Sequence, residues 1–277
     1  MALIDKLTAI ADAIRGKTGK TDPLTLEQMA TEISGIEAGG GGTDYLAARI
    51  DQSLTEYSSG DVETIAAYAL YGCSKLTRAH LPNATSVGTS AFYGCGKLSD
   101  CDFSSVETIG EAAFRGNSRL MVASFPSAKT VDKSAFYSSG VTELNFPICE
   151  SFGYECFRAC NNFTSISFPA ALVVGERVFY QCNGLITADF KVASSIGTYA
   201  FRSCTNLSTL ILRKSDAICA LSAVNALDST PFASGGTGGT VYVPSALIES
   251  YQTATNWSTL YTAGTCNFVA IEGSEHE

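Results

Sequence analysis

Seven segments between residues 69 and 201 repeat one short pattern: a small residue, a large apolar anchor, and a second small residue three positions on. The anchors are Leu70, Phe92, Phe114, Phe136, Phe157, Phe179 and Phe201, spaced 22 residues apart with one interval of 21. A fixed period of this length marks a supersecondary unit that cannot bury its apolar side alone and must stack on its neighbours. The middle of the chain is therefore expected to be a solenoid.

Each unit reads as one coil. After the second anchor, Leu98, Cys101 and Phe103 fill an L-x-x-L-x-L strand pattern, as do Leu76, Ala79 and Leu81 before them and Phe163, Ile166 and Phe168 further on. Pro82, Pro126, Pro147 and Pro169 follow the last slot, where a residue without an N–H ends a strand. A second apolar pair leads to Val87-Gly88, Ile109-Gly110, Phe152-Gly153, Val174-Gly175 and Ile196-Gly197. Those glycines are expected to free the backbone for the turn into the next coil. Asn117 stands where other units have cysteine, and the fourth unit, through Ser138-Ser139-Gly140, is one residue short. A local kink or tightened turn is expected there.

The cores Ala91-Phe92-Tyr93-Gly94-Cys95 and Ala200-Phe201-Arg202-Ser203-Cys204, with the Phe-Pro and Ile-Gly elements, resemble BspA-like leucine-rich repeats over roughly residues 44–225. The resemblance implies a leucine-rich-repeat solenoid of short strands and loops. It also implies a binding or adhesion scaffold, of a kind found in bacterial surface proteins and in proteins carried by prophages.

Composition narrows the partners. A net charge of −9 argues against nucleic acid, which needs clustered Lys and Arg. No run approaches the roughly 18 apolar residues of a membrane span, so no membrane insertion is expected. Met1 to Gly16 lacks the form of a signal peptide, because Asp5, Lys6, Asp12 and Arg15 interrupt it. Five of the ten cysteines, Cys73, Cys95, Cys160, Cys182 and Cys204, share one slot. They are expected to form a reduced, inward ladder of small side chains. No C-x-x-C pair exists, and neither a metal nor a cofactor is expected.

Residues 1–36 form a separate module. Leu3, Ile4, Leu7, Ile10, Ala11 and Ile14 recur at helical spacing, as do Leu24, Leu26, Met29, Ile33 and Ile36, with Asp22-Pro23 starting the second helix. A helical hairpin is expected, followed by a Gly-rich linker over 37–43, repeats over 44–221 and a mixed C-terminal cap over 222–277. The Gly16-Lys17-Thr18 and Gly19-Lys20-Thr21 runs lack the earlier glycine and the strand of a phosphate-binding loop. Ile10 to Gly19, with Met29-Ala30 and Ile33, resembles an N-terminal module of prophage tail and virion proteins of Gram-positive bacteria. That resemblance implies attachment or assembly, with homo-oligomerisation through residues 1–36 one form of it. In the cap, Val241 to Pro244 reads as a strand, and Ser245 as the N-cap of a helix carrying Leu247, Ile248, Tyr251 and Trp257.

Two surface files offer themselves for binding. One follows the anchors: Tyr71, Tyr93, Arg115, Tyr137, Arg158, Tyr180 and Arg202. Tyr and Arg are enriched at interface hot spots and can stack. The other lies on the strand face. It holds Arg78, Asp100, Val122, Glu143, Ser165, Thr187 and Thr209 beside His80, Asp102, Ser124, Asn145, Ser167, Asp189 and Ile211. Both files also suit ladders that merely stabilise the solenoid, and the sequence leaves that open. Large amphipathic side chains favour the tyrosine–arginine file as the binding surface. Asp100, Asp102, Glu143 and Asp189 could approach as glycosidase carboxylates do, but they stand on a surface file.

The sequence thus points to a non-enzymatic recognition protein, a phage virion or tail-associated structural protein. Its partner would be a host cell-surface glycan or protein, or another virion protein. The alternatives are a bacterial cell-surface adhesin and, third, an enzyme acting on cell-wall glycan. Deleting residues 1–42 is expected to leave the solenoid folded while abolishing attachment or self-association. Circular dichroism with light scattering checks this; unfolding of the truncated chain, or an unchanged assembly state, would refute the two-module reading.

Overall fold

The structure is a computed structural model that describes residues 54–277. The helical hairpin expected over 1–36 and the linker over 37–43 lie outside the described residues.

Each coil carries two strands and a turn-rich third side. The first strand file comprises β1 (Glu56–Ser58), β3 (Arg78–His80), β5 (Asp100–Asp102), β7 (Val122–Ser124), β9 (Glu143–Asn145), β11 (Ser165–Phe168), β13 (Thr187–Phe190) and β15 (Thr209–Leu212). The second comprises β2 (Thr64–Ile65), β4 (Ser86–Val87), β6 (Thr108–Ile109), β8 (Thr130–Val131), β10 (Ser151–Phe152), β12 (Val173–Val174), β14 (Ser195–Ile196) and β16 (Ala220–Leu221). All pairing is parallel, and the second file is one continuous eight-stranded sheet. Registers such as Ala79↔Cys101 and Ile65↔Val87 step by the repeat length, so equivalent residues stack coil on coil. The expected leucine-rich-repeat solenoid is what forms.

The core is the stack of inward residues. Phe92, Phe114, Phe136, Phe157, Phe179 and Phe201 form one column, with neighbouring ring centroids 5.2–5.5 Å apart. Phe103, Phe125 and Phe146 form a second column leaning on the first. Each fully buried phenylalanine contributes about 1.5–3 kcal/mol of burial, and each ring pair about 0.5–1.5 kcal/mol more.

The turn side is held by a third ladder. Ser90, Phe92 and Gly94 donate their N–H groups to the carbonyls of Glu111, Ala113 and Arg115 in the next coil. The intervening N–H groups of Ala91, Tyr93 and Cys95 close turns on Gly88, Ser90 and Phe92. This alternation requires positive φ two residues before and two after each anchor. Ser90 (φ 53°), Ala112 (53°) and Arg177 (55°) are among the non-glycine residues that adopt it. The Ile-Gly glycines have a different role from the one the sequence suggested. A Cβ on Gly88 would lie 2.6 Å from the Ala67 nitrogen, and one on Gly110 would lie 2.8 Å from that of Thr89. Glycine stands there because adjacent backbones touch, not because the turn needs conformational freedom.

The short fourth coil tightens as expected. Gly140 is buried, and a Cβ on it would sit 2.0 Å from the Ser118 carbonyl oxygen, so only glycine fits the shortened turn. The first strand file is interrupted on either side of the β7–β9 pair. At both breaks the inward residue of the last paired strand, Cys101 or Leu144, is partly exposed, whereas Ala79, Ala123 and Ala188 are buried. The unbroken second file carries the stack past both gaps.

The cap departs from expectation in detail. β17 (Gly239–Val243) and β18 (Cys266–Ala270) extend the sheet of β11, β13 and β15, so a second strand closes the end. Between them run two short helices, α1 (Ile248–Thr253) and α2 (Trp257–Thr262). Ser245 does not cap a helix with its hydroxyl; it opens a 3-10 turn, and its N–H is taken by the Glu272 carboxylate at 2.9 Å. Trp257 is fully buried in α2 and donates its indole N–H to the Cys219 carbonyl at 2.8 Å. It is a core anchor. Ile211 is buried rather than displayed, because β17 pairs against it through Tyr242.

No disulfide joins any of the ten cysteines, and all but Cys101 are buried. In the ladder, Cys95, Cys160, Cys182 and Cys204 donate their thiols to the anchor carbonyls of the preceding coil, Leu70, Phe136, Phe157 and Phe179, at 2.9–3.0 Å. Burial pushes Cys95 up to about 12 and Cys160 to about 11. Thiol alkylation of the native protein should therefore be slow from pH 7 to 9 and rise to nearly ten groups on denaturation. A Cys73–Cys95 or Cys182–Cys204 disulfide would refute this. Asn117 fills the same slot fully buried, and neither polar atom of its side chain finds a partner among the described residues. Asn117→Cys should restore the thiol bond, here to the Phe92 carbonyl. It should raise stability by about 1–3 kcal/mol, the cost of leaving buried polar groups unpaired, as read by chemical denaturation.

Candidate functional site

The tyrosine–arginine file stands on the turn-side ladder. Each member follows a buried anchor, so the backbone bonds that seat the anchor also fix where its neighbour emerges. Tyr71 and Tyr93 stack with ring centroids 4.9 Å apart and planes 12° from parallel. The Arg115 guanidinium carbon lies 5.7 Å from the Tyr93 ring and 4.2 Å from the Tyr137 ring. Arg158 in turn lies 5.2 Å from Tyr137 and 4.9 Å from Tyr180. Six of the seven sequence-selected residues thus form one unbroken stack. Arg202 leaves it and lies over Tyr199 at 5.0 Å.

Several members were not legible in the sequence. Tyr199 and Arg177 sit two residues before their anchors, in a slot that elsewhere holds Ser90, Ala112 and Ser134. Arg177 lies 5.4 Å from the Tyr154 ring and 5.1 Å from that of Tyr199, and hydrogen-bonds the Tyr154 hydroxyl. Glu155, only 9% exposed, bonds Arg158 at 2.8 Å and joins this second cluster to the file. Only the spatial stacking of coils reveals the connection.

The geometry decides what the file offers. Tyr137 is covered by Arg115 from one coil and Arg158 from another, so its faces are occupied. The Arg158 guanidinium is tied further, donating from Nη1 to Glu155 at 2.8 Å and from Nε to Gln181 at 3.4 Å, while Tyr71 at the start of the file is exposed. Each cation–π contact is worth about 0.5–1 kcal/mol at an exposed site, so the rotamers are fixed before any partner arrives.

The strand face is more self-contained. Arg78 bonds Asp100 at 2.7 Å, and His80 faces Asp102 at 3.2 Å. Asn145 donates to the Ser124 hydroxyl, and Arg213 grips Asp189 through two nitrogens at 2.9–3.1 Å. Asp100 and Asp189 each face an arginine and Asp102 faces His80, rather than a second carboxylate, while Val122, Glu143 and Ser165 are exposed and Thr187 and Thr209 half-buried. Among the described residues, no cluster of His, Cys, Asp and Glu is arranged to hold a metal ion. No helix among them is long and apolar enough to cross a membrane. A shallow groove of about 540 Å³ runs along the second strand file past Ser86, Thr108, Thr130 and Ser151.

Parallel coils, an aromatic core and outward polar files together define a leucine-rich-repeat solenoid. The chain belongs to the BspA type leucine-rich repeat region family, whose model matches residues 51–148 and 129–226. Solved structures similar to it include a Treponema pallidum leucine-rich repeat protein, TpLRR, which is 23% identical with a TM-score of 0.39 and covers 53% of this chain and 72% of that one. A Bacteroides ovatus leucine-rich repeat protein is 17% identical, with a TM-score of 0.28 over 80% and 85% of the two chains. The pneumococcal vaccine antigen PcpA is 11% identical, with a TM-score of 0.29 over 78% and 79%. A comparison with curated proteins finds no match. Leucine-rich repeat proteins commonly serve in binding or adhesion.

Proposed function

We propose that this is a non-enzymatic recognition protein whose tyrosine–arginine face takes a macromolecular partner. The observation that carries this reading is the stack from Tyr71 to Tyr180, in which large amphipathic side chains are already immobilised by one another. Prior ordering lowers the entropy cost of binding. The strand face, by contrast, spends its charges on internal pairs. In this proposal residues 1–36 attach the protein to a larger assembly, in keeping with their resemblance to tail and virion modules. The setting is a phage virion or tail, with the solenoid turned to a host-surface glycan or protein or to a neighbouring virion protein.

The labelled full chain, titrated onto Gram-positive cell walls, tests the surface. Tyr93→Ala with Tyr137→Ala should weaken binding about tenfold or more, roughly 1.4 kcal/mol, while the solenoid stays folded and loses only the stability of the ring contacts removed. Asp102→Ala with Asn145→Ala should matter less. Binding that survives the tyrosine pair and falls with the strand-face pair would move the site to the other face.

A further inference from the structure

Most asparagines on the surface of this solenoid tie one coil to the next. Asn162 donates its side-chain amide to the Gly140 carbonyl at 3.0 Å, and Asn206 donates to the Asn183 carbonyl at 2.8 Å. Asn161 donates to the Ala159 carbonyl and accepts the Asn183 N–H at 2.9 Å. Asn83 and Asn256 hold the carbonyls of Gly60 and Leu221. Asn183 differs from these. It is exposed, and its side chain has no hydrogen-bond partner among the described residues. The bonds made at this position use its main-chain N–H and carbonyl, so the fold does not need the carboxamide. The next residue is Gly184, and no other asparagine of the chain precedes a glycine. The Gly184 N–H also lacks an acceptor among the described residues. A carboxamide carbon and the backbone nitrogen that can reach it thus stand next to each other, neither group engaged.

We propose that Asn183 is a self-modifying site, converting without an enzyme to aspartate and isoaspartate. The Gly184 nitrogen, as it loses its proton, attacks the side-chain carbonyl carbon of Asn183. The new C–N bond closes a succinimide ring, and the carboxamide nitrogen takes up a proton and leaves as ammonia. Water then opens the ring at either carbonyl. One opening gives aspartate. The other gives isoaspartate, in which the main chain runs through the former side chain. Glycine matters because it has no Cβ to hinder the approach of its nitrogen. Neither reacting group has to give up a hydrogen bond first. Both products add a negative charge, and isoaspartate also adds a methylene to the main chain. The carbonyl that Asn206 grips then becomes part of a free carboxylate. The turn has no slack for the detour, since even a Cβ on Gly184 would lie 2.1 Å from the Asn161 carbonyl oxygen. The change therefore loosens the sixth coil from its two neighbours, as a local opening rather than global unfolding. This inference stands apart from the recognition reading above.

The test is to age the full chain at physiological temperature, in parallel at neutral and mildly alkaline pH. Digestion at acidic pH halts the reaction, and mass spectrometry with fragmentation that separates aspartate from isoaspartate maps the products. Asn183 should convert about tenfold or more faster than Asn161, Asn162 or Asn206. It should convert faster at the higher pH, where more of the Gly184 nitrogen is deprotonated, and should yield both products. Asn183→Gln should abolish conversion at this position, because its longer side chain closes a ring less readily. That variant should fold as the parent does, since the inter-coil bonds here use main-chain atoms of residue 183. Hydrogen exchange over residues 183–185 should quicken in the aged parent and stay unchanged in the aged Asn183→Gln variant. Conversion at Asn183 no faster than at the other asparagines overturns the proposal. Aspartate as the sole product overturns the ring route in favour of direct hydrolysis. Extensive isoaspartate with unchanged hydrogen exchange overturns the loosening of the sixth coil.

Discussion

Hydrogen bonds from one coil to the next carry this structure, because no single coil could bury its own anchors. They run on three sides: two strand files and the turn-side ladder in which Ser90, Phe92 and Gly94 reach the next coil. Their close approach fixes the rest. Gly88 and Gly110 have no room for a Cβ, and the thiols of Cys95 and Cys182 meet the anchor carbonyls of the preceding coil. Stability in such a stack is approximately a sum of units and nearest-neighbour interfaces. That is why the molecule tolerates local faults, such as the interrupted first strand file and the unpaired Asn117, while the second file continues unbroken.

The same ladder orders the tyrosine–arginine file. Positive φ on either side of each anchor turns alternate side chains in and out. The strain at residues such as Ala112 and Arg177 is held by bonds to the neighbouring coil. The residue after the anchor emerges at a fixed point in every coil, and tyrosine and arginine at that point meet face to face. The proposed recognition role draws on that order, which lowers the entropy cost of binding. It also occupies the tyrosine faces, so the rings are no longer open stacking platforms.

Charge is divided among the faces. On the strand side, acids and bases answer one another across adjacent coils, as Arg78 does Asp100 and Arg213 does Asp189. On the turn side of the first three coils, Lys75, Lys97 and Arg119 have no carboxylate partner among the described residues. A net charge of −9 describes the whole chain and conceals this local excess of the opposite sign.

The sequence by itself determined the solenoid, its period, its anchors, the inward cysteine ladder and the short coil at Ser139-Gly140, because each depends on residue type recurring at a fixed interval. It also placed Trp257 in the cap and selected the Tyr71-to-Tyr180 file. It misjudged features that depend on distances between coils. The Ile-Gly glycines answer to a neighbouring backbone, Ser245 yields its capping role to Glu272 from the tail, and Ile211 is covered by β17. Tyr154, Arg177, Tyr199 and Glu155 joined the tyrosine–arginine cluster only in three dimensions, since their slots show no recurrent type along the chain. Period is a one-dimensional property and can be read from a string. Which side chain fills the space left by the next coil is decided only when the coils are stacked.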